Sequence, residues 1–179
     1  GVAAVTAAVI ALDRTIGRGE PVNNISNAFR KLQQQAGLTA TEGIDRLRSA
    51  TGDLIRDFDL MRQSNLANQL GISAGDFEKL AASAETLGEA VNIEVVPALE
   101  LLTTAFGKGQ DRALIQLGIN VDLAKAEAEY ATSLGKTGEK LSELGKKEAA
   151  RIAIMREVEA QTKRVANETI SSGDSAQKV

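Results

Sequence analysis

Residues 92–120 read NIEVVPALELLTTAFGKGQDRALIQLGIN. Val95, Leu99, Leu102 and Phe106 recur at the three- and four-residue spacing that places side chains on one face of a helix. Pro97 falls in the first turn of that helix, where its missing N–H removes no helical hydrogen bond. A strand over residues 93–96 (IEVV) is the competing reading, but Pro97 follows it directly and the helical stripe fits better. Gly107-Lys108-Gly109 breaks the helix, Ala113, Leu114 and Leu117 mark a second short one, and Gly118 stops it. The predicted unit is a helical hairpin. In it Leu99, Leu102 and Phe106 pack on Leu114, Leu117 and Ile119, and Gly107, Gly109 and Gly118 allow the turns.

The same logic extends outward in both directions. Phe77, Leu80, Ala84, Leu87 and Val91 give the cleanest amphipathic stripe in the chain, opened by Ser73 with Asp76 in the arrangement of a capping box. Upstream, Val5, Val9, Leu12 and Ile16 mark a first helix, stopped at Gly17 and Gly19. Ile25, Phe29, Leu32 and Ala36 mark a second, with Pro21 in its first turn and Gly37 at its end. From an N-cap at Thr39 or Thr41, Ile44, Leu47, Thr51, Leu54, Phe58 and Met61 form a heptad-like seam across Gly52. It is read as one long helix over about 42–69 or as two helices kinked near Gly52. Downstream, Asn120 or Asp122 caps a helix running to Leu134, with Lys125, Glu127 and Glu129 outward. Ser142 caps a last helix whose apolar face is Leu144, Ile152, Met155, Val158, Val165 and Ile170, weakened by Thr162 and Thr169.

The expected fold is therefore all-α, with several antiparallel amphipathic helices forming a helical bundle or elongated hairpins. The expected organisation is N-terminal helices over 1–70, a central helical subdomain over 71–135 that holds the hairpin, a long C-terminal helix over 136–172, and a frayed tail over 173–179.

Composition limits the chemistry. There is no Cys and no His, so disulfides, imidazole acid–base catalysis and the common Cys/His zinc sites are excluded within this chain. Of the 43% hydrophobic residues many are Ala, and aromatics are 3%, so thin helix–helix seams are expected in place of one thick core, with self-association or neighbouring sequence adding support. Net charge is −3, and Lys+Arg against Asp+Glu runs 8 to 7 over residues 1–66, 4 to 10 over 67–134 and 9 to 7 over 135–179. No basic block is present to grip nucleic acid or an anionic membrane. Residues 2–12 are largely apolar but too short to span a bilayer, and they lack the basic flank of a signal peptide. The chain opens Gly1-Val2 without Met and is read as a piece of a longer protein.

Four local signals touch enzyme or ion chemistry, and each has a plainer reading. Residues 133–138, SLGKTG, overlap an S-x-x-K, a K-T-G and the end of a P-loop. The acyl-enzyme motifs lie far apart in real sites, and a P-loop needs Gly where Tyr130 stands, so the hexamer is read as a helix end and a turn. Asp53, Asp57 and Asp59 could pair for acid–base work or ion binding, but Arg56 and Arg62 between them indicate surface ion pairs. Gly107-Lys108-Gly109 could cradle an anion, but Asp111 opposes it. Met61 with Phe58 reads as core. No catalytic, cofactor or metal residue is predicted.

Five blocks, in order, resemble phage tail tape measure proteins: DFDLMRQSNLANQLGI (57–72), FEKLAASAETLG (77–88), AFGKGQDRALIQLGI (105–119), EYATSLGKTGEKLSE (129–143) and KKEAARIAIMREVE (146–159). The resemblance covers roughly residues 52–165 and implies a structural, non-enzymatic role. Such a protein fills the lumen of a growing tail, templates polymerisation of the tail tube and sets tail length. The implied partners are the tail tube protein, tail assembly chaperones and baseplate or tail-tip proteins, with no specific nucleic acid and no membrane segment. The implied location is the virion tail lumen, reached from the host bacterial cytoplasm during assembly. The alternative of another class is a helical adaptor or toxin-like bundle that binds partner proteins, since Ala-rich amphipathic helices alone fit it equally well.

Overall fold

The structure is a computed structural model, and it describes residues 19–136 and 140–176. The expected first helix through Val5, Val9, Leu12 and Ile16 lies outside the described residues, as do Thr137 and Gly138 of the SLGKTG stretch and residues 177–179. The described residues form seven α-helices and one 3-10 helix and contain no strand. The α-helices are α1 (Gly19–Gln35), α2 (Ala40–Ala50), α3 (Asp57–Gln69), α4 (Ala74–Ala90), α5 (Val95–Lys108), α6 (Leu123–Ser133) and α7 (Glu143–Ala176). The 3-10 helix, Arg112–Leu117, lies between α5 and α6. The helices pack on one another as a helical bundle, as the all-α expectation holds. The chain divides into two compact units, Gly1–Ala82 and Ser83–Val179. The division falls inside α4, whereas the sequence placed its divisions at the glycine breaks near 70 and 135.

In the first unit α1 packs on α2 and α3, and α2 packs on α3. The start of α2 follows directly from sequence. The Thr39 hydroxyl accepts from Glu42 N at 3.2 Å, and Thr39 N donates back to Glu42 Oε2 at 2.8 Å, which completes a capping box. The Thr39 N–H and hydroxyl, both donating to the Glu42 carboxylate, hold its pKa below the ordinary value.

A single helix over 42–69 does not form, and the alternative of two helices is the one observed. Thr51 ends α2, its hydroxyl donating to the Leu47 carbonyl at 2.9 Å. Gly52 and Asp53 then both take left-handed φ, +56° and +61°. That turn resets the phase of the seam. Ile55 and Leu60 are buried, Leu54 is 52% exposed and Phe58 is only half-buried. Arg48 Nε donates to Asp57 Oδ1 at 2.7 Å and Nη2 donates to Oδ2, a two-pronged pair that ties the end of α2 to the start of α3. The buried stripe of α1 is also rotated from the expected one. Phe29 lies on it, but Ser26 and Gln33 are buried while Ala36 is exposed. The Ser26 hydroxyl lies 3.8 Å from Met61 Sδ, and Asn65 Nδ2 donates to the Ile25 carbonyl at 3.0 Å, so the α1–α3 seam carries specific polar contacts.

In the second unit α7 packs on α5 and α6, and α5 packs on the 3-10 helix. Asp122 Oδ1 accepts from Lys125 N at 2.9 Å, which settles the cap of α6 on Asp122 and not Asn120. Ser142 caps α7, its hydroxyl accepting from Gly145 N at 3.1 Å. The apolar face expected on α7 is buried only in part: Val158 lies in the core and Met155 and Val165 are half-buried, but alanines take much of the rest. Ala149, Ala150, Ala153, Ile154 and Val158 are buried, whereas Leu144 is 77% and Ile152 51% exposed. The facing helix α6 buries Ala126 and Ala131. Small residues thus make up much of what α6 and α7 bury, and the bulkier Leu144 and Ile152 stay outside.

Candidate functional site

The hairpin picked out in sequence forms within the second unit. Leu99, Leu102, Leu114, Leu117 and Ile119 are almost wholly buried, and Phe106 nearly so. The chain enters it through a left-handed Asn92, φ +58°, with Ile93 N donating to the Gly88 carbonyl at 2.8 Å. It leaves α5 through Gly109 at φ +65°, with Gln110 N bonded to the Ala105 carbonyl at 2.9 Å. It closes through Gly118 at φ +70°, with Ile119 N bonded to the Leu114 carbonyl at 3.0 Å. Gly107 differs from the other two glycines: it is a buried residue of α5 and does not itself turn the chain. The second limb is a 3-10 helix, the tighter form suited to a short piece closed by glycine.

One residue that sequence reasoning missed completes the hairpin. Arg151 of α7 donates from Nε to the Phe106 carbonyl at 3.3 Å and from Nη2 to the Gly107 carbonyl at 3.1 Å. Its guanidinium lies 5.5 Å from the centroid of the Phe106 ring. A cation at a helix C-terminus meets both the end carbonyls and the negative end of the helix dipole. No signal near residue 151 marks this role, because the partner lies more than forty positions away. Arg151→Ala is expected to destabilise the second unit by about 1–2 kcal/mol, the scale of charge-assisted hydrogen bonds plus a cation–π contact. Denaturant unfolding checks it, and Arg151→Lys is expected to recover only part of the loss because the fork is gone.

The remaining candidates resolve into structural roles. Asp57 is held by Arg48, and Asp59 pairs with Arg56 at 3.1 Å and Arg62 at 3.8 Å. The Ser133 hydroxyl donates to the carbonyl of Tyr130 at 2.7 Å, one turn back on its own helix. Among the described residues no group of three or more Asp or Glu is placed to hold a metal ion. Among them, too, no helix is long and apolar enough to cross a membrane.

Among the described residues, two of the clefts on these helices bear on the candidates. One, of about 160 Å³, lies between α6 and α7. It is lined by Ala126, Ala149 and Ala153, with Tyr130 and Ile152 more exposed beside them and the Glu129–Arg156 pair at 3.0 Å. Glu129 raises the pKa of Arg156 above its ordinary value by accepting its hydrogen bond. The other, of about 70 Å³, lies in the first unit where α1, α2 and α3 meet the first turn of α4. Compared with protein-family models, curated proteins and solved structures, the chain matches none. The class defined by the fold is an all-helical protein with a glycine-delimited hairpin in its second unit.

Proposed function

We propose that the chain is a segment of a phage or prophage tail tape measure protein, a structural and assembly component with no catalytic role. The observation that carries this reading is the ordered set of five sequence blocks between residues 57 and 159. The positions of those blocks support it. The first spans α3, the second lies inside α4, the third spans the α5 to 3-10 turn, and the last lies inside α7. An all-helical chain suits a length gauge, because helix rises about 1.5 Å per residue and residue count becomes distance. Slim Ala-rich helices with few aromatics suit a narrow lumen. In this reading the chain meets tail tube subunits, assembly chaperones and baseplate or tail-tip proteins in the host cytoplasm, and it ends in the tail lumen.

Protease protection tests the location. In intact tails purified from a host that carries the gene, the chain is expected to be present and resistant to added protease, and to become cleavable once the tube is dissociated. Its absence from tails, or its digestion in intact tails, overturns the proposal. Absence would favour a helical adaptor instead, the reading supported by the Tyr130–Ile152 groove open on α6 and α7.

A further inference from the structure

The groove between α6 and α7 has an apolar floor and lies open to one side. Ala126, Ala149 and Ala153 are buried beneath it, and Tyr130 and Ile152 stand at its rim. At about 160 Å³ it falls short of the roughly 300 Å³ at which small-molecule sites begin, so the side chains of another protein surface suit it better. The α7 wall carries a charge pattern that selects the occupant. Glu148, Ile152 and Arg156 are exposed and four residues apart, so they form one row along the helix. Such rows are the ridges by which helices most often pack. The row runs acid, apolar, base, and its reverse runs base, apolar, acid.

We propose that the groove is closed by a second copy of this chain, the two α7 helices crossing antiparallel about a two-fold axis at Ile152. That crossing brings the two Ile152 side chains together over the alanine floors and sets each Glu148 against the other copy's Arg156. A parallel pair would set Glu148 on Glu148 and Arg156 on Arg156, like charges in both places. Both groups have capacity for the new contact. The Glu148 carboxylate has no ion pair or hydrogen bond with any described residue. Arg156 is held by Glu129 at 3.0 Å, but a guanidinium carries five N–H donors and can take a second carboxylate. Leu144 and Ala160, one step further out on either side, are exposed and uncharged, so no like charges meet there. Two helices crossing on one ridge bury less than the roughly 1,200 Å² of a standard interface, so the dimer is weak and concentration-dependent. The pairing stands on α6 and α7 alone and is independent of a place in a tail.

The test is sedimentation velocity on the full chain from about 10 µM to about 1 mM, the range in which an interface of this size associates. A reversible dimer is expected. Glu148→Arg and Arg156→Glu each set like charges together at both ends of the row, and each is expected to weaken self-association about tenfold or more. Mixed in equal amounts, the two variants restore opposite charges at both ends, and a heterodimer of the parent's affinity is expected. Both changes fall on exposed side chains, and circular dichroism checks that the variants fold. A thiol gives a second readout without any charge change, because the chain has no Cys. Ile152→Cys places one thiol per copy at the axis and is expected to crosslink under mild oxidation. Leu144→Cys places each thiol eight residues from the axis, about 24 Å apart, and is expected not to. A parent that stays monomeric throughout, which leaves the groove to a different protein, overturns the pairing. So does equal crosslinking at the two positions, or a mixture of folded variants that associates no better than either alone.

Discussion

Leu102→Ala is expected to lower the stability of the second unit by about 3 kcal/mol, the middle of the range for removing a buried leucine and leaving a cavity. Leu102 is 0% exposed and belongs to α5, the helix that packs on the 3-10 helix and α7. The large side chains of the unit, among them Leu99, Leu114, Leu117, Ile119 and Ile154, are themselves almost wholly buried, and a close-packed core relaxes only partly into such a gap. At a urea slope of about 2 kcal/mol per molar, the midpoint should fall by about 1.5 M with the slope unchanged. A loss below about 1 kcal/mol would mean that the hairpin is not packed as described.

Gly88→Ala is expected to destabilise by about 1–2 kcal/mol, although alanine is the better helix former by about 1 kcal/mol. The sign is decided by space. A Cβ on Gly88 would stand 2.5 Å from the Ile93 carbonyl oxygen and 3.2 Å from Ala98 Cβ. The first of these is backbone, fixed by the bond from Ile93 N to the Gly88 carbonyl, and it cannot turn aside as a flexible side chain would. Gly75→Ala is the matched control. Nothing lies within 4 Å of its added Cβ and its φ is not left-handed, so it is expected to be neutral or stabilising by a few tenths of a kcal/mol. Opposite signs in thermal unfolding support the close approach at Gly88, and equal effects would contradict it.

The helices and most of their ends were legible in sequence because their causes are local. Thr39 with Glu42, Ser73 with Asp76, Asp122 and Ser142 act within three residues of themselves, and Gly109 and Gly118 take the left-handed turns expected of them. What escaped is what distant residues decide. Gly52 and Asp53 together make a turn where a heptad pattern runs on through Leu54 and Phe58, because hydrophobic spacing carries no record of backbone handedness. On α7 a hydrophobic scale ranks Leu144 and Ile152 above Ala149 and Ala153, yet the alanines are the residues buried, because which face is covered is decided by the helices packed on it and not by the spacing along α7. Arg151 was missed for a related reason. It reads as an ordinary polar residue of a helix, and its role appears only when Phe106 is placed beside it.

The central functional claim is that helix length in this chain measures distance in a tail. Electron microscopy of tails from in-frame deletions in the parent gene tests it most directly. Tail length plotted against residues removed is expected to fall by about 1.5 Å per residue, so removal of the 34 residues of Glu143–Ala176 shortens tails by about 50 Å. Tails of unchanged length across the deletion series would contradict it.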